Sequence, residues 1–192
     1  MKTILTFLAL ICTVCLAERS MAQNAEMDAQ MKAWSAYMTP GTEHKKMTTG
    51  VGDWKATTQM WMDPSQPAIT MDAKVHSEMI LGDRYIVAHY YGEMMGMPFE
   101  GISTMGFDNA TKKYASTWVD NMSTGIMYMD GKWRDDINGI EFKGIGIDPA
   151  SGKSIPMRQV FIFKDENTQV MQMYEERKGK EVKTMEMTLT KM

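Results

Sequence analysis

Two kinds of periodicity divide the chain. Between Asn24 and Met38, the apolar residues Met27, Met31, Trp34 and Met38 recur at helical spacing and form one stripe. Asn24 is a suitable N-cap, and Pro40-Gly41 stops the run. From Val51 onward the period is two. Trp54, Ala56, Thr58, Met60 and Met62 fall on one face, with Lys55, Thr57 and Gln59 on the other. Pro64 and Pro67 interrupt that strand, and Ile69, Met71, Ala73, Val75, Ser77 and Met79 form the next inward-type face. Further strands follow over residues 84–94, 99–108, 112–120, 125–134, 137–147, 155–164, 168–177 and 181–191. Turn chemistry separates them: Gly82-Asp83, Gly96 with Pro98, Asp148-Pro149 with Gly152, Asp165-Glu166-Asn167 and Lys178-Gly179-Lys180.

The strand rhythm predicts an all-β fold, an antiparallel up-and-down meander of about ten strands. So many twisted strands favour closure into a β-barrel. With the short N-terminal helix, the expected organisation is residues 23–50 as helix and lead-in and 51–192 as one barrel domain.

The first 22 residues read as a secretory signal. Lys2 gives the positive start, residues 4–14 are mostly apolar, and Ser20-Met21-Ala22 suits cleavage after Ala22, with Ala17 as the alternative. An exported product, periplasmic or secreted, is therefore expected. Cleavage takes 22 residues off 192 and leaves 170, including neither Cys12 nor Cys15. No thiolate or disulfide chemistry is then available to the mature chain. Removing Lys2, Glu18 and Arg19 moves the formal charge from −3 to −4. A mildly acidic chain without a basic block gives no reason to expect a nucleic-acid partner. No later segment is apolar and long enough to cross a membrane as a helix. Oligomeric state is not readable.

Several stretches carry a resemblance. They are Pro40-Gly41-Thr42-Glu43-His44 with Gly52-Asp53-Trp54, Leu81-Gly82-Asp83-Arg84-Tyr85, residues 92–101, and residues 116–127 with their Trp-x-Asp-Asn-x-x-x-Gly core. Together they resemble the bacterial DUF1579 family, a domain of unknown function, from about residue 34 to the C-terminus. The resemblance implies a calycin or lipocalin-like barrel. Gly52-Asp53-Trp54 is similar to the calycin Gly-x-Trp on the first strand, whose Trp packs at the closed end beneath a late basic residue. Lys191 and Arg177 are the candidates for that residue.

Of 23 methionines, Met60/Met62, Met127/Met129, Met171/Met173 and Met185/Met187 are pairs that share a strand face. Thioethers are soft ligands and suit Cu(I). They also fill irregular interiors or line adaptable apolar pockets, which dispersion over many strands favours, and they can serve as an oxidant sink. His44, His76 and His89 show no spacing that makes three ligands converge on zinc. No His follows His89, so the C-terminal half offers no axial ligand for haem, which some calycin relatives bind. No cofactor is expected.

Trp118 and Asp120 share a face. An inward carboxylate needs a partner, and Arg158 on the eighth strand is a candidate, with Arg84 and Glu175 as others. The expected function is a barrel that binds a small apolar or amphipathic ligand. Trp54, Met60, Trp118, Met127, Met129 and Phe161 would contact it, with Asp120 and Arg158 as polar anchors. The alternatives are an enzyme using Asp120, Arg158 and a tyrosine such as Tyr91, or a filled barrel with a structural or interaction role. No Ser-His-Asp order, nucleophile elbow or phosphate loop supports the enzyme.

Overall fold

The computed structural model describes Met21, residues 23–63 and residues 65–192. The expected signal segment lies outside the described residues, except for Met21. The chain divides into two compact units between Thr39 and Pro40. In the first, helix α1 covers residues 23–38, as the apolar stripe predicts. Its Trp34 and Tyr37 rings meet edge to face at 5.8 Å.

The second unit opens with helix α2 (Thr42–Met47) and a 3-10 turn (Thr48–Gly50). Ten strands follow: β1 (Gly52–Met60), β2 (Ile69–Ile80), β3 (Tyr85–Met94), β4 (Met97–Asp108) and β5 (Lys113–Asp120), then β6 (Met127–Arg134), β7 (Gly139–Ile147), β8 (Ser154–Phe163), β9 (Thr168–Arg177) and β10 (Lys180–Lys191). Each pairs antiparallel with its chain neighbours, and β1 pairs with β10, so the sheet closes into a barrel. Closure leaves no free sheet edge. Among the described residues, no helix is long and apolar enough to cross a membrane.

The alternation set by strand geometry assigns each side chain to lumen or exterior. On β1, Trp54, Ala56 and Thr58 are buried while Asp53, Lys55 and Gln59 are exposed. On β10, Met187 and Leu189 are buried. Met62 was expected beside Met60, but β1 ends first: Trp61 N–H donates to the Thr184 carbonyl at 2.9 Å, and Met62 is exposed. A bulge between Lys183 and Met185 resets β10, so that Met185 lies opposite both Met60 and Met173.

One end of the barrel is plugged. Strands β1, β3, β5, β7 and β9 begin there, and α2 contributes the buried His44 and Met47. Gly41 N–H donates to His44 Nδ1 at 3.1 Å, fixing the ring at the first turn of α2. Tyr114 O–H donates to Glu43 Oε2 at 2.5 Å, and Lys46 pairs with Glu43 while covering the Trp133 ring at 4.0 Å. Trp54 is 1% exposed, and its indole N–H donates to the Gly50 carbonyl at 3.0 Å. Lys191 Nζ sits 5.4 Å from the Trp54 ring centroid, so it is Lys191 and not Arg177 that covers this Trp. Arg177 lies at the other end, bonded to Glu175 and the Met62 carbonyl.

Candidate functional site

The lumen is not filled along its whole length. Around Trp54, at the plugged end, lies a void of about 50 Å³. Toward the other end lies a cavity of about 270 Å³, near the lower bound of typical small-molecule pockets. It reaches the ends of β1, β3, β5 and β6, where Met60, Met94, Asp120 and Met127 stand on its wall.

Methionine dominates that wall. Among the described residues, nine line it: Met60, Met71, Met94, Met105 and Met127, with Met171, Met173, Met185 and Met187 on β9 and β10. Sheet register arranges five of these in two adjacent rows. Met60, Met185 and Met173 are successive cross-strand partners, as are Met187 and Met171 one step deeper. Directly opposed side chains have Cβ atoms about 5 Å apart, so these thioethers form a continuous soft surface.

Aromatic rings supply the opposite wall. Trp118 stacks on Phe99 with centroids 6.3 Å apart and meets Tyr90 edge to face at 5.1 Å. The ring has room to lie against the wall because its diagonal neighbour on β4 is Gly101, the register partner of Asp120, where any Cβ would collide with the indole. Burial holds the Tyr90 phenol above its ordinary pKa, against a lowering hydrogen bond with Ser103, and keeps it neutral.

The segment after Trp118 explains its own spacing. Trp118 Nε1–H donates to Asp120 Oδ2 at 2.6 Å, and the Met122 backbone N–H donates to Oδ1 at 2.9 Å. Asn121 clamps the start of β4: its Nδ2 donates to the Pro98 carbonyl and its Oδ1 accepts from Glu100 N–H, both at 3.0 Å. Trp-x-Asp-Asn thus places an aromatic plate and a carboxylate on one face and secures them from the next residue.

Of the residues expected at the site, Met60, Trp118, Asp120, Met127 and Phe161 stand on the cavity wall. Trp54 instead lines the small void at the plugged end. Met129, 1% exposed, belongs to the packed cluster with Phe142 and Tyr114. Arg158 requires a correction. It points out of the barrel, since its strand neighbours Gln159 and Phe161 set the inward parity at odd positions. There it forms a two-pronged pair with Glu181 (2.7 and 2.6 Å), approaches Glu141 at 3.6 Å and lies over the Tyr174 ring at 4.0 Å. These partners hold its guanidinium firmly protonated. Arg158 is therefore not the partner of Asp120. Tyr91 is likewise exterior, exposed and stacked on His89, so Asp120, Arg158 and Tyr91 do not share the lumen.

The remaining lining methionines, Tyr90 and Phe99 were not among the expected contacts. The Met171/Met173 and Met185/Met187 pairs were their visible signal, but both faces of β9 are partly apolar and its parity could not be read. Among the described residues, no group of three or more His, Cys, Asp or Glu could hold a metal ion. A family model described as a protein of unknown function (DUF1579) matches residues 39–191. No curated protein matches the chain.

Proposed function

The chain belongs to the DUF1579 family of proteins of unknown function, and from its cavity we propose that it is an exported binding protein for a small apolar or amphipathic molecule. The observation that carries this reading is the methionine- and aromatic-walled cavity of about 270 Å³, set beside a plugged end that is packed almost solid. A barrel serving only as a structural body gains stability by filling such a space, since lining atoms without partners forfeit dispersion contacts. Methionine suits a wall that must fit more than one shape, because its thioether adapts at small cost. Export rests on residues 1–22 alone.

The test uses N-phenyl-1-naphthylamine, a neutral fluorescent probe, with purified protein. Binding in the cavity brings a saturable rise in probe emission, quenching of tryptophan fluorescence and a higher melting temperature. Gly101→Ala displaces Trp118 and weakens all three signals. A flat titration, together with no small molecule recovered by solvent extraction of native protein, overturns the reading.

A further inference from the structure

The charges around the cavity are one-sided. Among the described residues that line it there is no Lys, Arg or His, whereas Asp72, Glu93 and Asp120 are present. Two of these acids face away. Asp72 accepts from Thr57 Oγ1 at 2.7 Å and pairs with Lys55 at 2.9 Å on the outer surface. Glu93 lies on the outward parity of β3, between the inward Gly92 and Met94, and is exposed. Asp120 is different. It shares the lumen face with Trp118, each of its oxygens accepts one hydrogen bond, and no ion pair in the described residues uses it. A carboxylate oxygen accepts more than one bond, so both retain capacity. Arg177, on the inward parity of β9 at the same end, is held by Glu175 at 2.9 Å and by the Met62 carbonyl.

An acid partly withdrawn from water without a cation is a half-made ion pair. Its surroundings suit an organic cation. Trp118, Phe99 and Tyr90 stand together, and aromatic faces attract ammonium groups. Across the lumen from them the methionine rows accept an apolar body. A carboxylate ligand meets the reverse situation: the described lining residues include no cation, Arg177 is already paired with Glu175, and Asp120 repels it.

We infer that the cavity selects a small protonated amine, its ammonium at Asp120 beside the Trp118 ring and its apolar part among the methionines. This rests on the binding function proposed above and narrows it to one charge class. Fatty acids and other anionic amphiphiles are excluded by the same arrangement.

The test compares three ligands of equal chain length, n-octylamine, n-octanol and octanoate, by displacement of N-phenyl-1-naphthylamine at neutral pH and low salt. Octylamine is expected to bind about tenfold more tightly than octanol, as a charge-assisted hydrogen bond provides, and octanoate more weakly than octanol. Asp120→Asn keeps an oxygen for Trp118 and removes the charge. It is expected to abolish the amine preference, leave octanol within about twofold and improve octanoate. Octanoate binding as tightly as octylamine to the native protein overturns the inference and leaves the binding function standing. So does an Asp120→Asn variant that weakens all three alike, since Asp120 would then only seat the indole. If neither the probe nor any of the three binds, the binding function itself falls.

Discussion

The two halves of the barrel are built from the same ten strands and differ in what occupies the lumen. At the plugged end, large rigid side chains are each fixed by a specific bond: Trp54 by the Gly50 carbonyl, Tyr114 by Glu43, His44 by the Gly41 N–H. The residual void is about 50 Å³. At the other end flexible thioethers without such bonds face the ring of Trp118, which Asp120 holds, and about 270 Å³ stays open. The difference shows how one architecture separates stability from accommodation along its axis. Closure of the sheet is common to both halves, so the open half can leave space unfilled because the plugged half supplies the packing.

The largest expected effect comes from breaking the plugged half. Trp54→Ala removes a fully buried indole and leaves the Gly50 carbonyl unpaired, for an expected loss of about 3–5 kcal/mol in a urea or thermal melt. A loss no greater than that of an alanine placed at Met171 would erase the distinction. Next, Tyr114→Phe deletes one charged hydrogen bond while keeping the ring. Burial holds this phenol far above its ordinary pKa, and its bond to Glu43 raises it further. The expected cost is about 1.5–3 kcal/mol by the same melts.

Changes in the open half should do less to stability and more to binding. Met171→Leu and Met185→Leu conserve volume, so each is expected to cost under about 1.5 kcal/mol. Both should still shift the probe's affinity and emission maximum, because the branched side chain cannot follow the ligand's shape. Unchanged binding together with a large stability loss would make these residues ordinary core.

The smallest effect separates a buried from a surface histidine. Burial lowers the pKa of His44 below 6.5, while its bond to the Phe107 backbone opposes the shift. Its contribution to stability is therefore full above pH 6.5 and is lost as pH falls through the lowered folded value. His76 moves the other way: its 2.7 Å bond to Asp53 raises its pKa. Whatever that exposed pair contributes is present below pH 6.5 and lost as pH rises through the raised value. Proton NMR of the imidazoles should give midpoints on opposite sides of 6.5.

The sequence carried the strands more fully than the site. Alternation and turn residues located all ten, with β9 read at its observed limits, because each strand has a local signal. Helix α2 was not foreseen. It is six residues long, and two buried side chains, His44 and Met47, make too short a stripe to read. Asp120 and Trp118 were legible as face-sharing neighbours two apart. Arg158 was not, because β8 is apolar on both faces: Val160 and Phe163 are both buried but on opposite parities. Only the register with β7 and β9 decides which face is inside, and register is a long-range property.

Pairing of β1 with β10 has a consequence for how the chain reaches this state. Trp54 faces Lys191, so the first strand has its final partner only when almost the whole chain exists. Each hairpin from β1–β2 to β9–β10 can form from neighbours, in any order and at small entropic cost. The final seam cannot, and until it forms, two strand edges are open to other chains. Synthesis proceeds from the N-terminus, so β1 waits longest with one edge unpaired. Barrel closure is then expected to be the slow, cooperative step of folding, the one whose contacts are most distant along the chain.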